Sequence, residues 1–120
     1  MNFTGLVPSV FYKNLNDGIQ LFVDCLEFTI VHKDLHPSQP YAVLRKGNLS
    51  IMVFQDEQLA MEHYPELRLV TNDIDEVYAK VSVSHPQWLH PNLKVVTKRP
   101  WGAKEFAIAD GQVGIRFQQW

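Results

Sequence analysis

"GQVGIRFQ", Gly111–Gln118, repeats the pattern of "GNLSIMVF", Gly47–Phe54, at an offset of 64 positions. Nearer the N-terminus of each half, Leu15, Asn16 and Asp17 lie over Ile74, Asp75 and Glu76 at an offset of 59. Self-similarity of this kind marks a duplicated module, and two copies are too few for a solenoid.

Outward from that pair, each half shows the same order of elements. "VPSVFYK" (7–13) alternates as a strand, and "NLNDGIQLFVDCLEF" places Leu15, Ile19, Phe22 and Leu26 at helical spacing, with Asn14 or Asn16 as candidate caps. "FTIVHKD", "YAVLRK" and "LSIMVFQ" read as three strands, the last two joined by the "KGN" turn. In the second half "ELRLVT" reads as a strand and "NDIDEVYAKVSV" as a helix with an Asn or Asp cap, followed by the strands "LKVVT", "KEFAIAD" and "QVGIRFQ". The expected organisation is one α+β domain over 1–120: a βαβββ module at about 5–56, a polar linker at 57–65 and a second βαβββ module at about 66–119.

Composition narrows the function classes. The 120 residues carry 11 Lys and Arg against 13 Asp and Glu, a net charge of -2, so no broad positive surface is available for nucleic acid. No stretch approaches the roughly 18 apolar residues of a membrane helix, and "MNFTGLVPSV" lacks the basic and apolar regions of a leader. The expected location is the cytoplasm. Cys25 is the single cysteine, which excludes an intrachain disulfide and a Cys-based zinc site, and its apolar helical setting reads as an inert buried thiol. There is no Gly-x-Ser-x-Gly, phosphate loop or Gly-x-Gly-x-x-Gly, and the five histidines are scattered or, at His85 and His90, separated by Pro86.

The duplicated module order, "NLNDGIQLFVDCLEF" in the place of the family's first helix and its "FY...LGF" ending, and above all "RPWGAKEFAIAD" (99–110) before the last hairpin resemble the vicinal-oxygen-chelate superfamily of glyoxalases, bleomycin-resistance proteins and extradiol dioxygenases. The likeness is greatest to the bleomycin-resistance proteins and spans nearly the whole chain. Two departures stand out: the family's Leu-Gly-Phe is Leu26-Glu27-Phe28, and its Asp-Pro-x-Gly-Asn turn is shortened to "ADGQVG". The resemblance implies sheets curled into a cup with helices outside, and a homodimer that closes the open cup edge by pairing modules across a two-fold axis.

It also implies where a metal would sit in the enzymes of the superfamily. Carried onto this chain through the two offsets, those positions are Val7, Met52, Glu66 and Arg116. Only Glu66 is a suitable ligand: Val7 has no donor, Met52 offers a soft thioether, and Arg116 brings a fixed positive charge. No metal and no cofactor are expected.

Strand alternation assigns the faces. Val7, Ser9 and Phe11 are expected to share one face with Ser50, Met52 and Phe54, with Glu66, Arg68 and Val70, and with Gly114, Arg116 and Gln118. The opposite faces are uniformly apolar and suit packing under the helices. The mixed face is that of a selective pocket or of a structural ion pair of Glu66 with Arg116 or Arg68, and Phe11 and Phe54 fit a core as well as a pocket.

The Pro-Trp-Gly step holds Trp101 at a strand's mouth, where its ring suits stacking on a flat ligand while its N–H finds a polar partner; a plug at a barrel end or a subunit contact is the competing role. The resemblance places the matching Trp of the bleomycin-resistance proteins near the drug. The candidate ligand-binding set is therefore Trp101, Phe54, Met52, Glu66, Arg68, Arg116, Phe11, Glu105 and Trp88, with Glu66 and Glu105 expected to attract positive charge. The reading preferred is a metal-independent protein that sequesters a flat or amphipathic small molecule such as a bleomycin-like antibiotic. The alternative is an enzyme of the same fold: a glyoxalase-like lyase, a dioxygenase, or an isomerase using Glu66 as base.

Overall fold

A computed structural model describes all residues, Met1–Trp120. The chain divides into two compact units, Met1–His63 and Tyr64–Trp120, each built on its own four-stranded mixed sheet. No helix is long and apolar enough to cross a membrane.

Unit 1 runs β1 (Ser9–Tyr12), α1 (Leu15–Ile19) continuing as π-helical turns over Gln20–Cys25, β2 (Thr29–Asp34), β3 (Tyr41–Lys46), β4 (Leu49–Gln55) and α2 (Glu57–Glu62). Its strand order is β1-β4-β3-β2, with β1 parallel to β4. Unit 2 runs β5 (Glu66–Val70), α3 (Ile74–Ser84), a 3-10 turn at Pro86–Trp88, β6 (Thr97–Lys98), β7 (Lys104–Ala109) and β8 (Gly114–Gln119), in the order β5-β8-β7-β6. The duplication holds to the residue: Ser9 pairs with Met52 as Arg68 pairs with Arg116, preserving both offsets.

Alternation decides which faces are buried. Val10, Tyr12, Leu44, Ile51 and Val53 lie under the first helix's Leu15, Leu21 and Phe22; Phe106, Ile108, Ile115 and Phe117 form the corresponding face in unit 2 with Ile74 and Val81 of α3. Phe106 stacks on Phe117 at 4.4 Å and takes Tyr78 edge-on at 5.1 Å. Gly18 lets the first helix approach closely, since a Cβ there would lie 2.6 Å from Val53 Cγ1.

Both helices start on the same device. The Leu15 N–H donates to Gln55 Oε1 and the Ile74 N–H to Gln119 Oε1, at 2.9 and 2.8 Å. Asn14 and Asp73 occupy the cap positions but make no side-chain cap bond, because the glutamine at the end of each last strand already satisfies that donor.

Three local expectations are corrected. β1 begins at Ser9 rather than Val7; Pro8 has no N–H for the ladder, and Val7 is left exposed. The segment read as a polar linker contains α2, because Asp56 caps it through the Leu59 N–H at 2.9 Å and Ala60 is buried. Of "LKVVT" only Thr97 pairs, the short strand running on to Lys98 beyond it. Ahead of it, Pro91 interrupts a regular ladder, and the edge of β7 is covered instead by His90 N–H to Ala107 O and Ala107 N–H to Leu93 O. The first helix ends on Glu27, whose φ of 65° is the left-handed value that a glycine accommodates without strain.

Candidate functional site

The Pro-Trp-Gly step is a tight turn closed by Gly102 N–H to Arg99 O and Arg99 N–H to Ala103 O, with Gly102 at φ 102°. That turn sets Trp101 beside the start of β7. Its Nε1–H donates to Glu105 Oε2 at 2.9 Å, and the Arg99 guanidinium lies 4.7 Å from the ring centroid. The indole is thus locked by a hydrogen bond and a cation–π contact while about half of its surface, 49%, stays exposed.

Glu105 is the hub of the site. It is fully buried, and Oε2 also accepts from Gln118 Nε2 at 2.6 Å, its cross-strand partner on β8. Oε1 lies 3.6 Å from Arg116 Nη1 and 3.8 Å from Arg99 Nε, and it receives no hydrogen bond. Burial alone pushes the Glu105 carboxyl up, but the hydrogen bonds from Gln118 and Trp101 and the charges of Arg116 and Arg99 outweigh it and hold it below the ordinary carboxylate value. The expectation that Glu105 attracts a positive ligand is therefore corrected: its charge is out of solvent and already faced by two guanidiniums.

Glu66 lies one strand over from Arg116. Its carboxylate is 3.2 Å from Arg116 Nε and 3.4 Å from Arg68 Nη1, so both ion pairs contemplated from the sequence are present. Trp101, Glu105, Arg116, Glu66 and Arg68 form one connected charged cluster on the non-helical face of unit 2, with Arg99 and Gln118 added by the structure. Arg99 escapes sequence reading because it precedes β7 and reaches the site only through the turn.

The other candidates do not join this cluster. Phe11, Phe54 and Met52 are half-buried on the corresponding face of unit 1. There Phe11 stacks on Phe54 at 5.8 Å, Phe54 meets Tyr41 at 5.8 Å, and Tyr41 meets His32 at 5.7 Å. Tyr41 was findable, since the offset of 64 puts it on Glu105. Trp88 stacks instead on His85 at 4.6 Å.

The donor set does not suit a divalent metal. Of the four positions carried over from the superfamily's enzymes, Val7 and Met52 offer no hard ligand, and the Glu66 carboxylate shares its space with two guanidiniums that would repel a cation. No three His, Cys, Asp or Glu side chains converge anywhere in the structure.

Two mixed four-stranded sheets with helices against one face define the α+β fold of the glyoxalase, bleomycin-resistance and dioxygenase proteins. The chain is similar over 98% of its length to a bleomycin-binding protein solved with bleomycin (TM-score 0.74, 19% identity, 99% of that chain). It is likewise similar over 98% to a bleomycin resistance determinant encoded on a transposon (TM-score 0.73, 20% identity, 98% of that chain). A lactoylglutathione lyase from Agrobacterium tumefaciens matches over 98% of this chain and 95% of its own with a TM-score of 0.73, at 12% identity. No protein-family model matches the chain, and no curated protein does.

Proposed function

We propose that this protein is a metal-independent, small-molecule binding protein that sequesters a flat or amphipathic ligand and works as a cytoplasmic homodimer. The observation that carries this reading is the locked indole of Trp101. An aromatic ring held by Glu105 Oε2 at its N–H and by Arg99 at its face loses little side-chain freedom on stacking a ligand, so the ordering cost of binding falls largely on the ligand. The half-buried rings of Phe11, Tyr41 and Phe54 give unit 1 an aromatic surface suited to the same ligand class. Support from likeness comes from the bleomycin-binding protein solved with bleomycin and from a second, from Streptomyces verticillus, solved with copper(II)-bleomycin.

The test is a fluorescence and thermal titration with bleomycin and a panel of flat aromatic molecules, cationic and neutral. Stacking quenches the indole emission, and Trp101→Ala weakens binding by about 1–3 kcal/mol while the fold is retained. Trp88→Phe controls for quenching elsewhere. Unchanged emission and melting temperature across the panel would return Trp101 to a structural role. Metal analysis of the purified protein serves the second half of the proposal, which fails on one equivalent of metal that is retained through dialysis and lost in Glu66→Ala.

A further inference from the structure

A cavity of about 200 Å³ opens within unit 2, and Arg99 and Arg116 both stand in its wall. This is below the ~300–1,000 Å³ of pockets that enclose drug-sized molecules, so it fits a ligand of only a few heavy atoms. The Nε atoms of both arginines are buried and make no hydrogen bond, although Arg116 Nε faces Glu66 Oε1 at 3.2 Å and Arg99 Nε faces Glu105 Oε1 at 3.8 Å. Such donors are costly to leave unmade, and they are the atoms a planar anion engages best.

Charge points the same way. The cluster holds three guanidiniums, of Arg68, Arg99 and Arg116, against the two carboxylates of Glu66 and Glu105. One positive charge remains uncompensated. Glu105 cannot supply more, since its Oε1 stays 3.6 and 3.8 Å from the two guanidiniums, beyond hydrogen-bonding reach. On the cavity wall His90 Nδ1 accepts the Asn92 N–H, which in the neutral ring leaves the proton on Nε2 as a further donor. Leu93 and Ala107 give the wall an apolar patch that suits a short hydrocarbon body, and Glu66, Asn92 and the β7–β8 backbone at Ile108, Gly114 and Ile115 complete it.

We propose that unit 2 contains a binding site for a small monocarboxylate, with its head group beside the Arg99 and Arg116 guanidiniums and its short apolar body against Leu93 and Ala107. The site does not depend on Trp101 as a stacking platform. It selects an anion where stacking on Trp101 selects a flat ring, so the two readings fail separately.

The experiment is a calorimetric and NMR titration of the whole chain with propionate, with propionamide and chloride as matched controls. Propionate binds saturably, and neither the uncharged amide nor chloride reproduces it. Arg116→Gln weakens propionate by roughly tenfold or more, as loss of a charge-assisted hydrogen bond requires. Glu66→Gln removes the carboxylate that competes for Arg116 and tightens propionate by up to roughly fivefold, a gain that misfolding cannot mimic. The proposal is overturned if propionate shows no saturation, if propionamide or chloride binds equally well, or if folded Glu66→Gln binds propionate no tighter than the parent protein.

Discussion

Tyr41 and Glu105 occupy the same place in the two copies of the module: Tyr41 stands opposite Phe54 across the first hairpin as Glu105 stands opposite Gln118 across the second. One copy fills that place with stacked rings and the other with a buried carboxylate. Identical backbone register has thus been given an aromatic surface in unit 1 and a charged one in unit 2.

Acid should loosen unit 2 through Glu105. Its folded-state carboxyl titrates below the ordinary value, so it contributes stability that is fully present above the unfolded value of about 4.3 and is lost as pH falls through the folded one. Glu105→Gln keeps the shape but leaves Arg99 and Arg116 facing a neutral group. We expect a loss on the order of 2 kcal/mol at pH 7, less than the roughly 3–5 of a fully buried pair because both guanidiniums are partly solvated. Denaturant melts at pH 7 and pH 3 should show the difference between variant and parent shrinking at the lower pH; an unchanged gap would mean that the charge of Glu105 is not what holds the cluster.

Glu27→Gly should stabilise the protein. The left-handed φ of 65° strains any residue with a Cβ, whereas glycine at a helix C-terminus adopts it freely. The side chain given up makes an ion pair with Lys46 at 3.9 Å in which both partners are at least half exposed, a contact of little worth. After the entropy glycine costs, a net gain of about 0.5–1 kcal/mol, or roughly 2–5 °C in melting temperature, is expected. A lower melting temperature would show that the Glu27 side chain matters more than its backbone.

The paired glutamine caps should behave as twins. Gln55→Ala and Gln119→Ala each leave a helix N-terminal N–H without its acceptor and should cost about 1 kcal/mol. The double variant should show the sum, since the two bonds share no partner. Gln119→Glu keeps the acceptor and adds a favourable charge at the helix start, so it should be close to neutral. Equal losses from alanine and glutamate at 119 would rule out capping as the cause.

Cys25 should be silent in the folded protein. Burial pushes its thiol up to about 11, which leaves roughly one molecule in a thousand as thiolate at pH 8. A thiol reagent at that pH should label it only as fast as the native state opens, with denaturant accelerating the reaction sharply. Rapid labelling without denaturant would place the sulfur at the surface.

Much of this architecture can be read from the amino-acid order alone. Core strands alternate with period two and core helices with period 3.6, and the offsets of 59 and 64 carry the Ser9–Met52 pairing onto Arg68–Arg116; a register slip of one residue would turn Val10, Val53, Leu67 and Ile115 away from the core. The mixed faces follow from the same alternation, as does the polar partner of the Trp101 N–H in kind, though not in identity. Other features were decided only in three dimensions. The short helix after Asp56, the ragged edge at Leu93, the glutamine caps and the arrival of Arg99 over Trp101 all depend on contacts between residues distant in sequence or brought together by a turn. Glu105 is the clearest case. A glutamate in an alternating strand reads as an exposed anion, and only the folded chain, by bringing two guanidiniums, an indole N–H and an amide around one carboxylate, supplies enough interaction to offset the cost of taking its charge out of water.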